Sequence, residues 1–212
     1  MPPLSKGGIV VYKIGFIGAH GVGKTLLADS VSLELKKRSD LKVQLIKEAA
    51  GDAEEIGLPI NEETTLATQL WILHSWCRED ILYSTDRQGR PKYDVLLFDR
   101  GPENYCYLEN RCGENPSALG IVLEHLKLFP YNKLYRLPVV GKSIAEDNAR
   151  STNPAFQAIM DEKIVRFLEK HQIAYTNLPT PEDHDPLRDI WPRIVVNETL
   201  RALGKDKYLM RE

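Results

Sequence analysis

The segment at residues 18–25, which reads Gly-Ala-His-Gly-Val-Gly-Lys-Thr, constrains the fold of this chain more than any other. It fits the pattern G-x-x-x-x-G-K-[ST], an apolar run ends just before it, and an amphipathic stretch follows. Glycines lack a β-carbon, so the backbone turns tightly and several N–H groups converge on one anion. The start of the following helix adds positive potential. We therefore predict a strand, a phosphate-binding loop and a helix.

Two residues at the end of this loop have the chemistry needed to bind a nucleoside triphosphate with Mg²⁺. Lys24 supplies a mobile positive charge for the β- and γ-phosphates, and the Thr25 hydroxyl completes a Mg²⁺ shell. His20 is expected to face solvent. The predicted cofactors are ATP and Mg²⁺. The residues predicted to contact the nucleotide are Gly18, Ala19, His20, Gly21, Val22, Gly23, Lys24, Thr25 and Leu26.

A guanine-specific switch protein is disfavoured by the run that begins at Asn132-Lys133. Leu134 and Tyr135 follow it, so the aspartate of the guanine-reading N-K-x-D pattern is missing. ATP is the expected donor and GTP the less favoured one, and the choice between them stays open.

Short β-branched runs alternate with amphipathic stretches, which predicts an α/β protein with a parallel sheet. Several runs are almost continuously apolar, as expected when helices cover both faces of the sheet. The predicted fold is a doubly wound, five-stranded parallel sheet. Its strands are expected at residues 9–17, 42–47, 94–98, 133–138 and 173–177.

The helices are predicted from apolar spacing and from capping residues. Asn61 is expected to cap a long helix with an apolar stripe. The stripe comprises Leu66, Leu70, Leu73, Cys77 and Ile81. The other helices are expected at residues 24–38, 103–111, 119–128, from 154 onward, and 192–203 with Gly204 as the stop. We expect a flexible leader at 1–8, then one domain at 9–212 with a lid region around 139–152.

A second motif follows the third predicted strand, where four apolar residues precede Asp99 and Arg100. An aspartate at this strand end would reach Mg²⁺, because the carboxyl end of the strand opens beside the phosphate loop. A guanidinium beside it can clamp a phosphate or orient a substrate. The alternative is a plain surface ion pair between the two residues.

These elements resemble the P-loop nucleoside and nucleotide kinases. Asp99-Arg100 is similar to the D-R element of thymidylate kinases and deoxyribonucleoside kinases. Glu48 is similar to the acidic residue that those kinases place at the end of the second strand. Gln69 and Arg78 resemble their base-reading glutamine and downstream arginine.

The run Asp147-Asn148-Ala149-Arg150 resembles the arginine-bearing lid of the nicotinamide riboside kinase-like proteins. The resemblance as a whole covers roughly residues 14–179. Thymidylate kinases follow their glutamate with Pro-Gly-Gly, whereas this chain has Ala49-Ala50-Gly51. Nicotinamide riboside kinases have an arginine at the position of Gly51. The identity of the acceptor therefore stays open.

The resemblance implies a kinase that transfers the γ-phosphoryl group of ATP to a nucleoside, nucleotide or similar small acceptor. A carboxylate near the acceptor hydroxyl assists such a transfer, and Glu48 is the candidate. Thr25 and Asp99 are the candidate metal ligands, and a regulatory NTPase is the alternative function. The candidate catalytic residues are Lys24, Glu48, Asp99, Arg100 and Arg150. The candidate acceptor-binding residues are Glu48, Gln69, Arg78 and Arg100.

Composition narrows the class of partner. With 28 basic and 30 acidic residues the formal net charge is -2, so no long-range field favours nucleic acid. Three cysteines without a C-x-x-C pair argue against a disulfide scaffold or zinc site and favour a reducing compartment. No apolar run approaches the ~18 residues of a membrane helix. We expect a cytoplasmic protein whose partners are a nucleotide and a small-molecule acceptor. The oligomeric state, including a homodimer, stays open.

Overall fold

The computed structural model describes residues 11–60, 63–139, 154–180 and 190–210. Within these ranges five strands form one sheet in the order β2-β3-β1-β4-β5, and every neighbouring pair is parallel. The strands are β1 (Tyr12–Ile17), β2 (Val43–Ile46), β3 (Val95–Phe98), β4 (Lys133–Arg136) and β5 (Thr176–Asn177). The predicted fold class is confirmed. The strands are shorter than predicted, most clearly β5, of which only two residues pair with β4.

Helices connect the strands and cover both faces of the sheet. They are α1 (Lys24–Arg38), α2 (Ala50–Glu55), α3 (Leu66–Ser84), α4 (Asn104–Cys112), α5 (Pro116–Leu128), α6 (Pro154–Lys170) and α7 (Trp191–Ala202). Helices α1 and α7 pack against each other, while α4 contacts α3, α5 and α6. Among the described helices, none has both the length and the apolar character that crossing a bilayer requires.

The central strands β1 and β3 lie at the centre of the hydrophobic core. Ile14, Phe16, Leu96 and Leu97 are completely buried. Neighbouring residues in a strand point to opposite faces, so burial of both Leu96 and Leu97 means that helices cover both faces. The core thus holds the carboxyl ends of β1 and β3 rigidly side by side.

The start and the buried face of α3 differ from the prediction. The helix begins at Leu66, and Thr65 caps it by accepting a hydrogen bond from the Thr68 backbone N–H. Asn61, the predicted cap, lies outside the described residues. Leu66 and Ile81 of the predicted stripe are exposed, at 41% and 52%. The inner face instead carries Thr68, Ile72, Leu73, Trp76, Asp80 and Ser84.

The remaining helices match the prediction within a few residues, apart from two details. Helix α5 begins at Pro116, three residues early, because the Asn115 side chain caps it and proline fits a first turn. Helix α2 was not predicted at all. Residues 1–8 and 140–152, the predicted leader and most of the predicted lid, lie outside the described residues.

Candidate nucleotide and acceptor site

The phosphate loop lies between the end of β1 at Ile17 and the start of α1 at Lys24. Three of its glycines have positive φ angles, 145° at Gly18, 72° at Gly21 and 90° at Gly23. Side chains rarely adopt such angles. A β-carbon at Gly18 would also lie 2.8 Å from the backbone oxygen of Leu137. The backbone geometry therefore accounts for the glycines that the motif contains.

Lys24 lies inside the loop and is only 5% exposed. Its Nζ donates hydrogen bonds to the backbone oxygens of Gly18 at 2.8 Å and Ala19 at 2.6 Å. Burial and the positive charge of Arg100 lower the pKa of Lys24 to about 8, although nearby carboxylates oppose the change. The ammonium is thus held at the loop by carbonyl dipoles and by negative charge behind it.

Asp99 and Thr25 form an oxygen-rich corner beside the loop. Burial raises the pKa of Asp99, while a hydrogen bond with the Thr25 side chain opposes the change. Within the described residues, Asp99 Oδ1 is buried and has no hydrogen-bond partner. A carboxylate and a hydroxyl are the hard oxygen ligands that Mg²⁺ prefers, so the corner fits this ion. No cluster of three metal-binding side chains occurs in the described part of the chain. The other ligands would therefore be water and phosphate oxygens.

Arg100 has a strained backbone and a crowded side chain. Its φ angle is 134°, which is rare for a residue with a β-carbon. The guanidinium forms an ion pair with Glu48 and lies 4.8 Å from the centre of the Tyr107 ring. Burial opposes its charge, but Glu48 and Tyr107 hold the pKa of Arg100 above its usual range. Such strain at a ligand-facing strand end is typical of functional sites.

A cleft opens at the carboxyl ends of β2 and β3, next to this arginine. Glu48, Asp99 and Arg100 contribute its charged wall, and Ile72 and Trp76 of α3 contribute an apolar wall. Its other lining residues are Ile46, Lys47, Ala49, Glu79, Phe98 and Asn104. The structure thus brings together three of the five predicted catalytic residues in one cleft.

Other predicted site residues lie elsewhere. Gln69 is half-buried and its amide donates a hydrogen bond to Thr64 Oγ1 at 3.0 Å. Arg78 is exposed, and neither residue belongs to the lining of the cleft. Leu26 points outward and is 65% exposed. Arg150 lies outside the described residues.

The expectation that His20 faces solvent is wrong. His20 is 6% exposed, and its ring stacks on Phe156 with the ring centres 5.0 Å apart. Its backbone oxygen accepts a hydrogen bond from Gln157 Nε2 at 2.7 Å. The first turn of α6 therefore covers the phosphate loop, a contact between residues 137 positions apart that local sequence does not reveal.

Sequence reasoning missed Glu103. This residue is completely buried, and burial raises the pKa of its carboxyl to about 7, against the opposing charges of Lys24 and Arg100. The sequence placed Glu103 only at the start of a helix. The available signal was the Gly101-Pro102 turn, which can direct the Glu103 side chain back to the Gly101 backbone N–H.

Comparison with known proteins identifies a family and a fold. A family model described as "AAA domain" matches residues 13–185. No curated protein matches the chain in sequence.

Many solved structures share the fold, among them the following three. Deoxyadenosine kinase from M. mycoides has a TM-score of 0.59 and 13% sequence identity, and the match covers 90% of this chain and 99% of that one. NadR protein in complex with NR has a TM-score of 0.68 and 12% identity, with 92% of this chain and 52% of that one covered. Thymidylate kinase from Ehrlichia chaffeensis has a TM-score of 0.58 and 14% identity, with 93% of this chain and 99% of that one covered. The chain thus spans about half of the NadR chain.

The predicted resemblance to P-loop kinases is confirmed at the level of the fold. The chain belongs to the AAA domain family, and its fold is that of the P-loop nucleoside and nucleotide kinases.

Proposed function

We propose that the protein is a kinase that transfers the γ-phosphoryl group of ATP to a nucleoside, a nucleotide or a similar small acceptor. The observation that carries this proposal is the cleft at the carboxyl ends of β2 and β3, whose wall includes Asp99, the hydrogen-bond partner of Thr25 in the phosphate loop. Its charged wall suits a reacting hydroxyl or phosphate, and its apolar wall of Ile72 and Trp76 suits a flat ring.

The donor side of the reaction depends on the loop. Backbone amides and Lys24 bind the phosphates, and Asp99 and Thr25 would hold Mg²⁺. When bound, this ion neutralises the charge that develops on the phosphate oxygens. The chain's own contribution is alignment, because phosphoryl transfer needs little covalent assistance from the protein.

On the acceptor side, Glu48 accepts the proton of the attacking hydroxyl. Its ion pair with Arg100 holds the carboxylate in the wall of the cleft. Arg100 is thereby held where a guanidinium can also contact the transferring group.

Three further assignments rest on the sequence resemblance. As the resemblance implies, Gln69 and Arg78 contact the acceptor and Arg150 contacts the phosphates. The proposal also includes ATP, in preference to GTP, as the phosphoryl donor. It further includes a location of the protein in the cytoplasm.

An acceptor panel tests the function. The protein is incubated with ATP and Mg²⁺ and with nucleosides, nucleotides or oligonucleotides in turn, and ADP is measured. ADP formation that depends on a nucleoside or nucleotide supports the kinase. Release at the same rate without any acceptor would instead support a regulatory NTPase, and a response to oligonucleotides alone would indicate a nucleic-acid end kinase.

The variant Glu48→Gln tests the role of the carboxylate. It should lower kcat for a hydroxyl acceptor by about 100-fold, because the amide cannot accept the proton. ATP affinity, measured by calorimetry, should not change. Glu55→Gln makes the same chemical change at an exposed site of α2 and should behave as wild type. Equal losses of kcat and ATP affinity in Glu48→Gln would make Glu48 a structural residue.

A further inference from the structure

The cleft beside Arg100 contains two polar side chains that the proposed transfer step does not use. One is Glu79 of α3, which lines the cleft and is half-buried. It forms no hydrogen bond or ion pair with any described residue. The other is Asn104, the first residue of α4, which lines the same cleft.

Asn104 carries the stronger indication of a ligand, because it is deeply buried. The residue is only 7% exposed, and its backbone N–H donates a hydrogen bond to the Gly101 oxygen at 3.2 Å. Within the described ranges, nothing is hydrogen-bonded to its side-chain amide. Folded proteins rarely leave such a group unsatisfied, so the amide indicates that a polar atom of a ligand completes the cleft.

The apolar wall next to Glu79 is held rigidly. Ile72, Trp76 and Glu79 are four and three positions apart, so they lie on one face of α3. The Trp76 indole N–H donates a hydrogen bond to Tyr131 Oη at 2.9 Å, and the His125 ring meets the indole edge-on with the ring centres 4.8 Å apart. Trp76 therefore offers a ligand a fixed flat surface, with the Glu79 carboxylate about one helical turn away.

The chemistry of these side chains limits what the ligand can present. A carboxylate only accepts hydrogen bonds, so Glu79 requires a donor on the ligand, whereas the Asn104 amide can donate to a neighbouring ring nitrogen. Glu48 does not compete for that donor, because it pairs with Arg100. Lys47 also lines the cleft, but it is exposed and water screens its charge.

We propose that Glu79 selects the acceptor, by accepting a hydrogen bond from an exocyclic amino group on a ring that packs against Trp76. The matching acceptor is a nucleoside or nucleotide whose base has this amino group beside a ring nitrogen, to which the Asn104 amide donates. A base with a carbonyl oxygen in place of the amino group binds more weakly, because two oxygens then face each other. This inference rests on the proposed function, since it names the acceptor, but its test measures binding and needs no turnover.

The test uses pairs of ligands that differ only in the amino group. Adenosine is paired with purine riboside, and cytidine with zebularine, each as the nucleoside and as the 5′-monophosphate. Binding is measured by calorimetry with Mg²⁺ and excess ADP, so that the donor site is occupied. In at least one pair, wild type should bind the amino-bearing member about 10- to 100-fold more tightly, as expected for a hydrogen bond to a charged group.

Three variants identify the cause of this preference. Glu79→Met keeps the length of the side chain but cannot accept the hydrogen bond, so the preference should fall to about twofold or less while Tm stays near wild type. Glu79→Gln keeps one acceptor oxygen and should have an intermediate preference. Asp52→Asn removes a nearby carboxylate that is exposed and does not line the cleft, and it should keep the full preference.

Four results would overturn the proposal. They are equal binding of both members of each pair by wild type, no binding of any amino-bearing ligand, an unchanged preference in Glu79→Met, and an equal loss in Glu79→Met and Asp52→Asn. The last result would indicate a general negative potential in place of a direct hydrogen bond.

The acceptor panel separates the failure of this inference from the failure of the kinase. ADP formation with uridine, thymidine or their monophosphates alone would refute the role of Glu79 and leave the kinase in place. Binding that depends on Glu79, without ADP formation for any acceptor, would refute the kinase and support Glu79 as the selective residue of a nucleoside site.

Discussion

Two clusters of buried charge lie near opposite ends of β1, and they differ in how completely their hydrogen bonds are satisfied. At the amino end, the buried Asp80 accepts hydrogen bonds from Lys13 Nζ at 2.5 Å and Ser84 Oγ at 2.9 Å. His125 Nε2 lies 3.0 Å from its other oxygen. Both carboxylate oxygens of Asp80 thus have a partner inside the protein.

At the carboxyl end, the charges beside the phosphate loop are less completely paired. Asp99 Oδ1 and Glu103 Oε1 are buried and have no hydrogen-bond partner in the described ranges. Arg100 is held in a strained backbone conformation nearby. Buried polar groups are normally satisfied, so unsatisfied ones need a reason. The comparison indicates that the Asp80 cluster stabilises the fold, whereas the cluster at the loop contains the unsatisfied groups that the proposed function assigns to ligand binding.

The largest expected effect is on the stability of the protein, through the Asp80 cluster at the amino end of β1. Asp80→Ala leaves Lys13, which is 5% exposed, without its anion. We expect the free energy of unfolding to fall by about 3–5 kcal/mol, as for other broken buried ion pairs. Urea unfolding followed by circular dichroism measures this. Activity per folded molecule should be preserved, so a selective loss of activity would contradict the assignment. Glu162→Ala, which breaks an exposed ion pair with Arg166, is the control and should have little effect.

The next largest effect is on the kinase activity, through the charged cluster at the carboxyl end of β1. Lys24→Ala removes the cation of the phosphate loop and should lower kcat/KM for ATP by roughly 10²- to 10³-fold. Its circular dichroism spectrum should match that of wild type. Lys36→Ala, at an exposed position of the same helix, should retain full activity. Unchanged turnover in Lys24→Ala would show that the phosphate loop does not take part in the reaction.

A third prediction concerns the pH dependence of stability. Burial in the folded protein raises the pKa of the Glu103 carboxyl from 4.5 to about 7. Between these two pH values the folded protein therefore keeps a proton on Glu103 that the unfolded chain has released. Stability therefore decreases as pH rises through this range. Glu103→Gln removes this dependence, so its stability relative to wild type should increase by about 2–3 kcal/mol between pH 5 and pH 8. Thermal unfolding at a series of pH values measures the difference, and parallel curves would show that this carboxyl titrates normally.

The smallest expected effect tests the contact between α6 and the loop. Gln157→Leu removes the hydrogen bond to the His20 backbone oxygen, which costs about 1 kcal/mol and should raise KM for ATP about fivefold. Steady-state kinetics at varied ATP concentration measure it. Arg166→Ala, further along α6 and exposed, should have wild-type KM. An unchanged KM in Gln157→Leu would mean that α6 does not organise the loop.

The phosphate loop and the strand that ends at Asp99 were predictable because their signals are local. Positive φ angles strongly favour glycine, and an acid directly after an apolar strand lies at the carboxyl end of the sheet. The face of α3 was not predictable in this way. Its buried residues include Thr68 and Asp80, and Asp80 is satisfied by Lys13, 67 positions earlier in the chain. Hydropathy alone assigns such polar residues to the surface.

Local sequence also failed for His20 and Glu103. His20 is buried under α6, whose position over the loop depends on the assembled sheet. Glu103 is completely buried although it precedes a helix, where an acid is normally exposed. By itself the sequence determined the fold class, the phosphate loop and the acid at the end of β3, because steric limits and strand periodicity act over a few residues. Only the tertiary structure decided which charges are buried together, since pairing between distant residues depends on the packing of whole helices against the sheet.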